Sequence, residues 1–347
     1  MIIYGAGAVG KVMYETLKKY DVIAECFCDD NPNKTEFCGL PVYRLNEIKQ
    51  FGSPLFYMSV TDIKDAVRRL DERGFCNWIT VVKLLKQFKS DDHYLQYAVD
   101  MAAICQEAYY KNNLFIHSVD LIITERCSLK CKDCSNLMQY YDNPKDCDTK
   151  EILYSIDKLF ESVDEIGEVR VIGGEPFMNK EWNVIVKRLI AEPKLHRVVI
   201  YTNGTIIPKN MPKSDKIFVF ITDYGELSGN IDTLVSRLNV PYHVSKAGGW
   251  TACSDIEWHD RTPEENTQMF KNCCVRNLIT LSNRRLYRCP FAANIVRLGK
   301  IKDFDSVEIT RKQIKTLLNM ESMCSCFYCN GRPYGAEEIE PAIQREL

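Results

Sequence analysis

No apolar run in this 347-residue sequence is long enough to cross a bilayer. An excess of one charge is also missing. There are 45 Lys and Arg against 47 Asp and Glu, a formal net charge of −2, so no global field draws the chain to nucleic acid or to an anionic membrane. Basic runs such as Arg68-Arg69 and Arg284-Arg285 are short and read as solvated faces. Histidine is scarce, with five in all, which leaves few ways to build a histidine-based metal site. The start, Met1-Ile2-Ile3-Tyr4-Gly5, lacks the basic opening of a signal peptide, and a cytoplasmic location is expected. Internal repeats and low-complexity segments are absent.

Cysteine, by contrast, is abundant, with sixteen. Without an export signal, clustered cysteines point to metal rather than to disulfides. Three lie at Cys127, Cys131 and Cys134; three at Cys273, Cys274 and Cys289; three at Cys324, Cys326 and Cys329. The other seven are scattered and are expected to be small buried hydrophobes.

Strand and helix patterns alternate, which predicts an α/β protein with parallel sheets. Ile2–Tyr4, Val22–Cys28, Pro54–Val60 and Trp78–Val82 read as strands, with helices over 11–20 and 62–73. Residues 91–111 contain no Pro or Gly and read as a long connecting helix. A second series starts with a strand at Val119–Thr124 that runs into Cys127 and continues to about Val244. Residues 277–289 read as a hairpin around Ser282-Asn283, followed by a helix over 310–320. The expected organisation is a domain over 1–88, a helical linker over 89–114, a second domain over 115–250 and a cysteine-rich extension over 251–347.

Cys127, Cys131 and Cys134 have the spacing C-x3-C-x2-C at a strand end. Three thiolates from one loop can hold three irons of a cubane and leave the fourth iron open to a chelating co-substrate. A zinc site short of one ligand is the competing reading, and no histidine lies nearby to complete it. The loop resembles the signature of the radical SAM superfamily. Gly173-Gly174-Glu175-Pro176, after a strand, is similar to the family's GGE motif, and Asn203, in Tyr201-Thr202-Asn203-Gly204, to a weaker pattern near the SAM ribose. The resemblance implies a partial (β/α)6 barrel with a [4Fe–4S] cluster on the three cysteines. It also implies an S-adenosylmethionine (SAM) whose amino group meets the GGE turn through backbone oxygen and the Glu175 carboxylate. The residue before the third cysteine is usually aromatic in that family; here it is Asp133, and Tyr140 or Tyr141 are the expected substitutes against adenine.

The later cysteines resemble the twitch or SPASM-like extension of these enzymes, which holds an auxiliary [4Fe–4S] cluster. Cys274, Cys289, Cys326 and Cys329 are the expected ligands, with Cys273 and Cys324 as rivals and a structural zinc as the competing reading. Arg284 stands where the family usually has glycine, so a different turn is expected there.

At the start of the chain, Gly5, Gly7 and Gly10 form G-x-G-x-x-G after a strand and before a helix, with Asp29 at the end of the next strand. This is a Rossmann-like dinucleotide fingerprint in its proper context. Residues 1–85 also resemble the small nucleotide-sugar-binding domain of bacterial surface-glycan enzymes. Joined, the halves suggest a radical SAM oxidoreductase acting on a nucleotide-diphosphate sugar or polyol in surface polysaccharide synthesis. It would oxidise a hydroxyl or invert its carbon, with a flavodoxin- or ferredoxin-type reductant and neither nucleic acid nor membrane as partner. Inversion needs a hydrogen donor, for which Cys147 and Cys253 are available. A peptide-modifying radical SAM enzyme and a non-catalytic iron–sulfur redox sensor are the alternatives.

Overall fold

The computed structural model describes residues 1–333 and 335–345. The chain divides into two compact units, Met1–Asn113 and Leu114–Leu347.

Unit 1 runs β1 (Ile2–Tyr4), α1 (Ala8–Lys19), β2 (Cys26–Cys28), β3 (Glu36–Phe37), β4 (Leu40–Tyr43), β5 (Phe56–Met58), α2 (Ile63–Asp71), β6 (Trp78–Thr80), α3 (Val82–Gln87) and α4 (His93–Tyr109). The strand order is β3-β4-β2-β1-β5-β6, parallel except for the β3–β4 pair. Helix α2 shows the local logic. Asp62 caps it by accepting from the Asp65 N–H, and Ile63, Ala66, Val67 and Leu70 form one buried stripe. Helix α4, capped by Asp92, covers the stretch expected as a linker over 89–114. Instead it packs on α1 and α3. Its fully buried Gln106 accepts from the Val81 N–H (2.9 Å) and donates to the Met58 carbonyl (2.8 Å). The helix therefore belongs to unit 1.

Unit 2 runs β7 (Phe115–Ile122), α5 (Thr149–Ser162), β8 (Glu165–Ile172), α6 (Trp182–Ile190), β9 (Leu195–Thr202), β10 (Ile217–Asp223), α7 (Ile231–Arg237), β11 (Tyr242–Lys246), α8 (Pro263–Asn272), β12 (Ile279–Ser282), β13 (Arg285–Tyr287), α9 (Pro290–Arg297), β14 (Val307–Glu308) and α10 (Arg311–Leu318). The sheet order is β11-β10-β9-β8-β7-β12-β13-β14. Strands β7 to β11 are parallel and lie in chain order. The expected hairpin exists as β12–β13, but β12 also pairs parallel with β7 and becomes the sixth parallel strand. The region after residue 250 thus shares the sheet of the second domain.

Residues alternate along each strand. Val119, Leu121 and Ile123, with Val169 and Val171 on β8, enter the large apolar core shared with Ile156, Leu159 and Ile185 of the helices. The opposite face carries Ser118, Asp120, Glu168 and Arg170, all charged or polar, and Tyr201. The turn between β12 and β13 is made by Asn283 (φ 48°) and Arg284 (φ 60°). Arg284 takes the left-handed conformation that glycine adopts most readily. Its guanidinium lies 4.4 Å from the Tyr154 ring centre and pairs with Glu151.

Residues 342–345 lie as a strap on the loop that follows β7. Cys131 forms a β-bridge with Gln344; the Lys132 N–H donates to the Ile343 carbonyl and the Arg345 N–H to the Lys130 carbonyl, each at 2.7 Å. Among the described residues no helix is long and apolar enough to cross a membrane.

Candidate active site

Cys127, Cys131 and Cys134 occupy the loop after β7. Its base is tied by Asp146, which accepts from the Thr124 hydroxyl (2.8 Å) and pairs with Arg126 (3.3 Å). The three thiols feel one another's charge, and burial pushes Cys127 up to about 12 and Cys134 up to about 11. Among the described residues no three His, Cys, Asp or Glu side chains close on a single-ion position. A cubane spreads its thiolates over three irons and asks for no such approach. Three mutually facing cysteines on one loop fit a cluster with one open iron.

The Gly173–Pro176 turn is laid directly on this loop. The Gly174 N–H donates to the Thr124 carbonyl (3.1 Å) and the Glu175 N–H to the Arg126 carbonyl (2.8 Å). A Cβ on Gly173 would run into the Thr124 carbonyl oxygen, and one on Gly174 into that of Arg126. Pro176 opens a single 3-10 turn over Pro176–Met178.

The Glu175 carboxylate is fully buried. It accepts from the Phe177 N–H (3.1 Å), the Thr202 hydroxyl (2.9 Å) and the Asn203 N–H (2.8 Å). It thereby locks the turn to the end of β9. Asn203 continues the chain of contacts. Its side-chain amide donates to Ser128 Oγ (3.0 Å) and, at 3.6 Å, to the Cys127 sulfur.

Burial holds the Glu175 carboxyl up to about 7, against the three hydrogen bonds that favour its ionised form. A folded-state value above the unfolded one gives stability that is full below about 4.5 and lost as pH rises through about 7. Urea unfolding at pH 5 and pH 8 should therefore show the parent losing up to about 3 kcal/mol more than Glu175→Gln over that window. Parallel pH profiles for the two proteins would refute the assignment.

Of the aromatic groups beside the loop, Tyr141 was singled out in the sequence, and Tyr224 and Trp250 were not. Tyr141 donates its hydroxyl to Asn294 of α9 (2.8 Å) and so faces that helix. Tyr224 stands within electrostatic reach of all three loop thiols, edge-on to Trp250 at 6.1 Å. The strap adds one more contact, from the Gln344 amide to the Cys131 sulfur at 3.4 Å.

The second cysteine set gathers around a cavity of about 290 Å³, lined by Cys273, Cys289, Cys326 and Cys329. Of the two rivals, Cys273 lines the cavity, while Cys274 is exposed and does not line it. The Cys274 thiol donates to Cys273, and with Arg332 nearby holds Cys273 well below the usual thiol value, as a ligand requires. Cys324 is exposed. The turn carrying Cys326 is built by buried Asp305, which accepts from the Cys324 and Ser325 N–H groups at 2.7 Å. Arg261 donates to the carbonyls of Cys326 and Cys329, both at 2.9 Å. Cys253 also lines the cavity, whereas Cys147 lies elsewhere, against Arg297.

In unit 1, a Cβ on Gly10 would run into the Gly5 carbonyl, so close packing of α1 explains that glycine. Gly5 takes φ 112°. Gly7 would meet nothing. Asp29 is turned into the loop, accepting from the Ala6 N–H (2.8 Å) and the Asn31 N–H (2.9 Å), with Lys34 at 3.6 Å.

Residues 121–238 match the family model described as "Radical SAM superfamily". A GTP 3′,8-cyclase of Stenotrophomonas maltophilia (strain R551-3) is 30% identical over 93 residues, 26% of this chain and 28% of the relative. Molybdenum cofactor biosynthesis protein 1 of Dictyostelium discoideum is 26% identical over 147 residues, 41% of this chain and 22% of the relative. The matched part thus spans under a third of these relatives. A crystal structure of BtrN in complex with AdoMet and 2-DOIA is 14% identical, covers 62% of this chain and 93% of that one, and has a TM-score of 0.39. The family match over 121–238 contains the cysteine loop, the GGE turn and Asn203, so this region is a radical SAM domain, of a family whose cofactors are a [4Fe–4S] cluster and S-adenosylmethionine.

Proposed function

We propose that this chain oxidises a hydroxyl-bearing carbon of a small polyol or nucleotide-linked sugar. One observation carries the reading. A single cavity is bordered by Ser135 and Asn136, directly after Cys134, and also by Cys273, Cys289, Cys326 and Cys329. A substrate there lies between the loop of the radical cluster and four thiols suited to an auxiliary [4Fe–4S] cluster. Reductive cleavage of SAM supplies the acceptor for a hydrogen atom, and an auxiliary cluster takes up an electron. A carbinol carbon that gives up a hydrogen atom, and then a proton and an electron, becomes a carbonyl. The cavity is at the small end for ligand sites, which suits a ring-sized group better than a folded peptide segment.

Unit 1 supports the nucleotide part of the proposal. Nothing in the packing around Gly7 calls for glycine, so the open space at the N-terminus of α1 suits the close approach of a diphosphate. The saturated hydrogen bonds of Asp29 suit support of the loop better than a ribose contact. The place in surface polysaccharide synthesis rests on the resemblance of residues 1–85 alone. A flavodoxin- or ferredoxin-type protein would supply the electron for SAM cleavage.

Anaerobically reconstituted protein with reductant and SAM tests the reading against nucleoside diphosphate sugars, free polyols, GTP and short peptides. The expected result is 5′-deoxyadenosine formed with a sugar or polyol, alongside a product two hydrogens lighter. Stimulation by a peptide alone would overturn it. Gly7→Ala is expected to change stability by less than about 0.5 kcal/mol while weakening nucleotide-sugar binding in calorimetry. Unchanged binding would remove unit 1 from substrate recognition.

A further inference from the structure

The floor of the cavity is built from charge. Asp120 on β7 and Arg170 on β8 are directly opposite in the parallel register, and Arg170 Nε donates to Asp120 Oδ1 at 2.5 Å. Asp120 is 1% exposed, and its other oxygen, Oδ2, is buried without a hydrogen-bond partner among the described residues. Both residues line the cavity. The rest of the surroundings are accounted for. Glu168 accepts from Ser118 at 3.0 Å, and the Arg170 guanidinium lies 5.5 Å from the Tyr201 ring centre. A buried carboxylate oxygen left unpaired is costly, so its retention calls for an occupant.

The chemistry of that occupant follows from the pair. Arg170 already neutralises Asp120, so neither a cation nor an anion gains a matching charge. The open edges are one strong acceptor, Oδ2, and those guanidinium N–H groups not taken by Asp120 or by the Tyr201 hydroxyl, which are donors. A neutral group that both donates and accepts at adjacent atoms complements them, as vicinal hydroxyls do. We propose that Asp120 and Arg170 form a recognition floor for a neutral polyhydroxylated ring, with Asp120 Oδ2 accepting from one hydroxyl and Arg170 donating to its neighbour. The proposal deepens the polyol reading above and rests on it for treating the cavity as the substrate site. Desolvation raises the Asp120 carboxyl, which makes it the more ready to take a proton from the hydroxyl it holds.

The test is calorimetric binding of myo-inositol to the SAM-bound, cluster-loaded protein, with cyclohexanol as the ring lacking neighbouring hydroxyls. Inositol is expected to bind the parent much more tightly than cyclohexanol. In Asp120→Asn and Arg170→Gln, inositol should bind about ten- to a hundredfold more weakly, with cluster absorbance and SAM affinity unchanged. Inositol bound equally by parent and variants, or no better than cyclohexanol by the parent, would overturn the proposal. If neither variant folds, the parent's ratio of the two affinities decides. Turnover separates this proposal from the reading beneath it. A parent that binds inositol through these residues, yet oxidises no polyol, keeps the floor and loses the oxidation. Product formation that both variants retain in full does the reverse.

Discussion

Alanine at position 174 should leave a protein unable to hold its [4Fe–4S] cluster. A Cβ there would run into the Arg126 carbonyl oxygen and stand 2.8 Å from Cys127 Cβ. Both neighbours belong to the backbone or first carbon of the ligand loop, so no flexible side-chain end can yield. Relief requires the turn to lift away, breaking the bonds from the Gly174 and Glu175 N–H groups to Thr124 and Arg126. Overpacking of this kind costs about 1–3 kcal/mol and each lost hydrogen bond about 1 more. The strain falls on Cys127 rather than on the distant core. Iron analysis and visible absorbance after anaerobic reconstitution should show loss of the first cluster, with SAM cleavage down about a hundredfold or more. Parental iron content in Gly174→Ala would show that the loop tolerates displacement and that the contact is not needed.

Cys289→Ala should separate the two cysteine sets. Cys289 caps α9, its sulfur accepting from the Ala292 N–H at 3.4 Å, and burial pushes its thiol up. A helix N-terminus that also faces Cys273, Cys326 and Cys329 favours a metal-bound thiolate. Iron content should fall by half while SAM cleavage without substrate continues. Formation of the oxidised product should drop about a hundredfold or more, because the electron has no acceptor. Cys274→Ala should cost far less iron and product than Cys289→Ala, since Cys274 touches Cys273 without lining the cavity. A Cys274 variant that loses iron, beside a Cys289 variant that keeps it, would reverse the assignment made from the cavity.

The motifs built from short runs of local backbone were legible in the sequence. Cys127 to Cys134 and Gly173 to Pro176 are each short runs whose spacing fixes their geometry. What pairing and burial decide was not legible. Val22 and Ile23 look like strand but are exposed, and β2 begins only at Cys26. β12 reads as half of a hairpin, and nothing in Ile279–Ser282 names β7 as its other neighbour. Cys273 and Cys274 are adjacent, so spacing cannot tell which one faces the cavity; the bridge of Cys273 to Pro333 and the bond from the Cys274 N–H to the Arg332 carbonyl, far along the chain, orient the pair. The floor left a trace that went unread. Asp120 and Arg170 each put a charge between apolar neighbours on a buried strand, and such a charge is seldom idle.

The strap sets an order of events. Lys130 donates its N–H to the Gln344 side chain across 214 positions of sequence. On a ribosome adding about 5–20 residues per second, the cysteine loop exists for roughly ten to forty seconds before its cover has been made. For that interval the nascent chain offers three thiols that the finished fold will half enclose. The cover over Cys131 is therefore the last part of the loop's surroundings to be made.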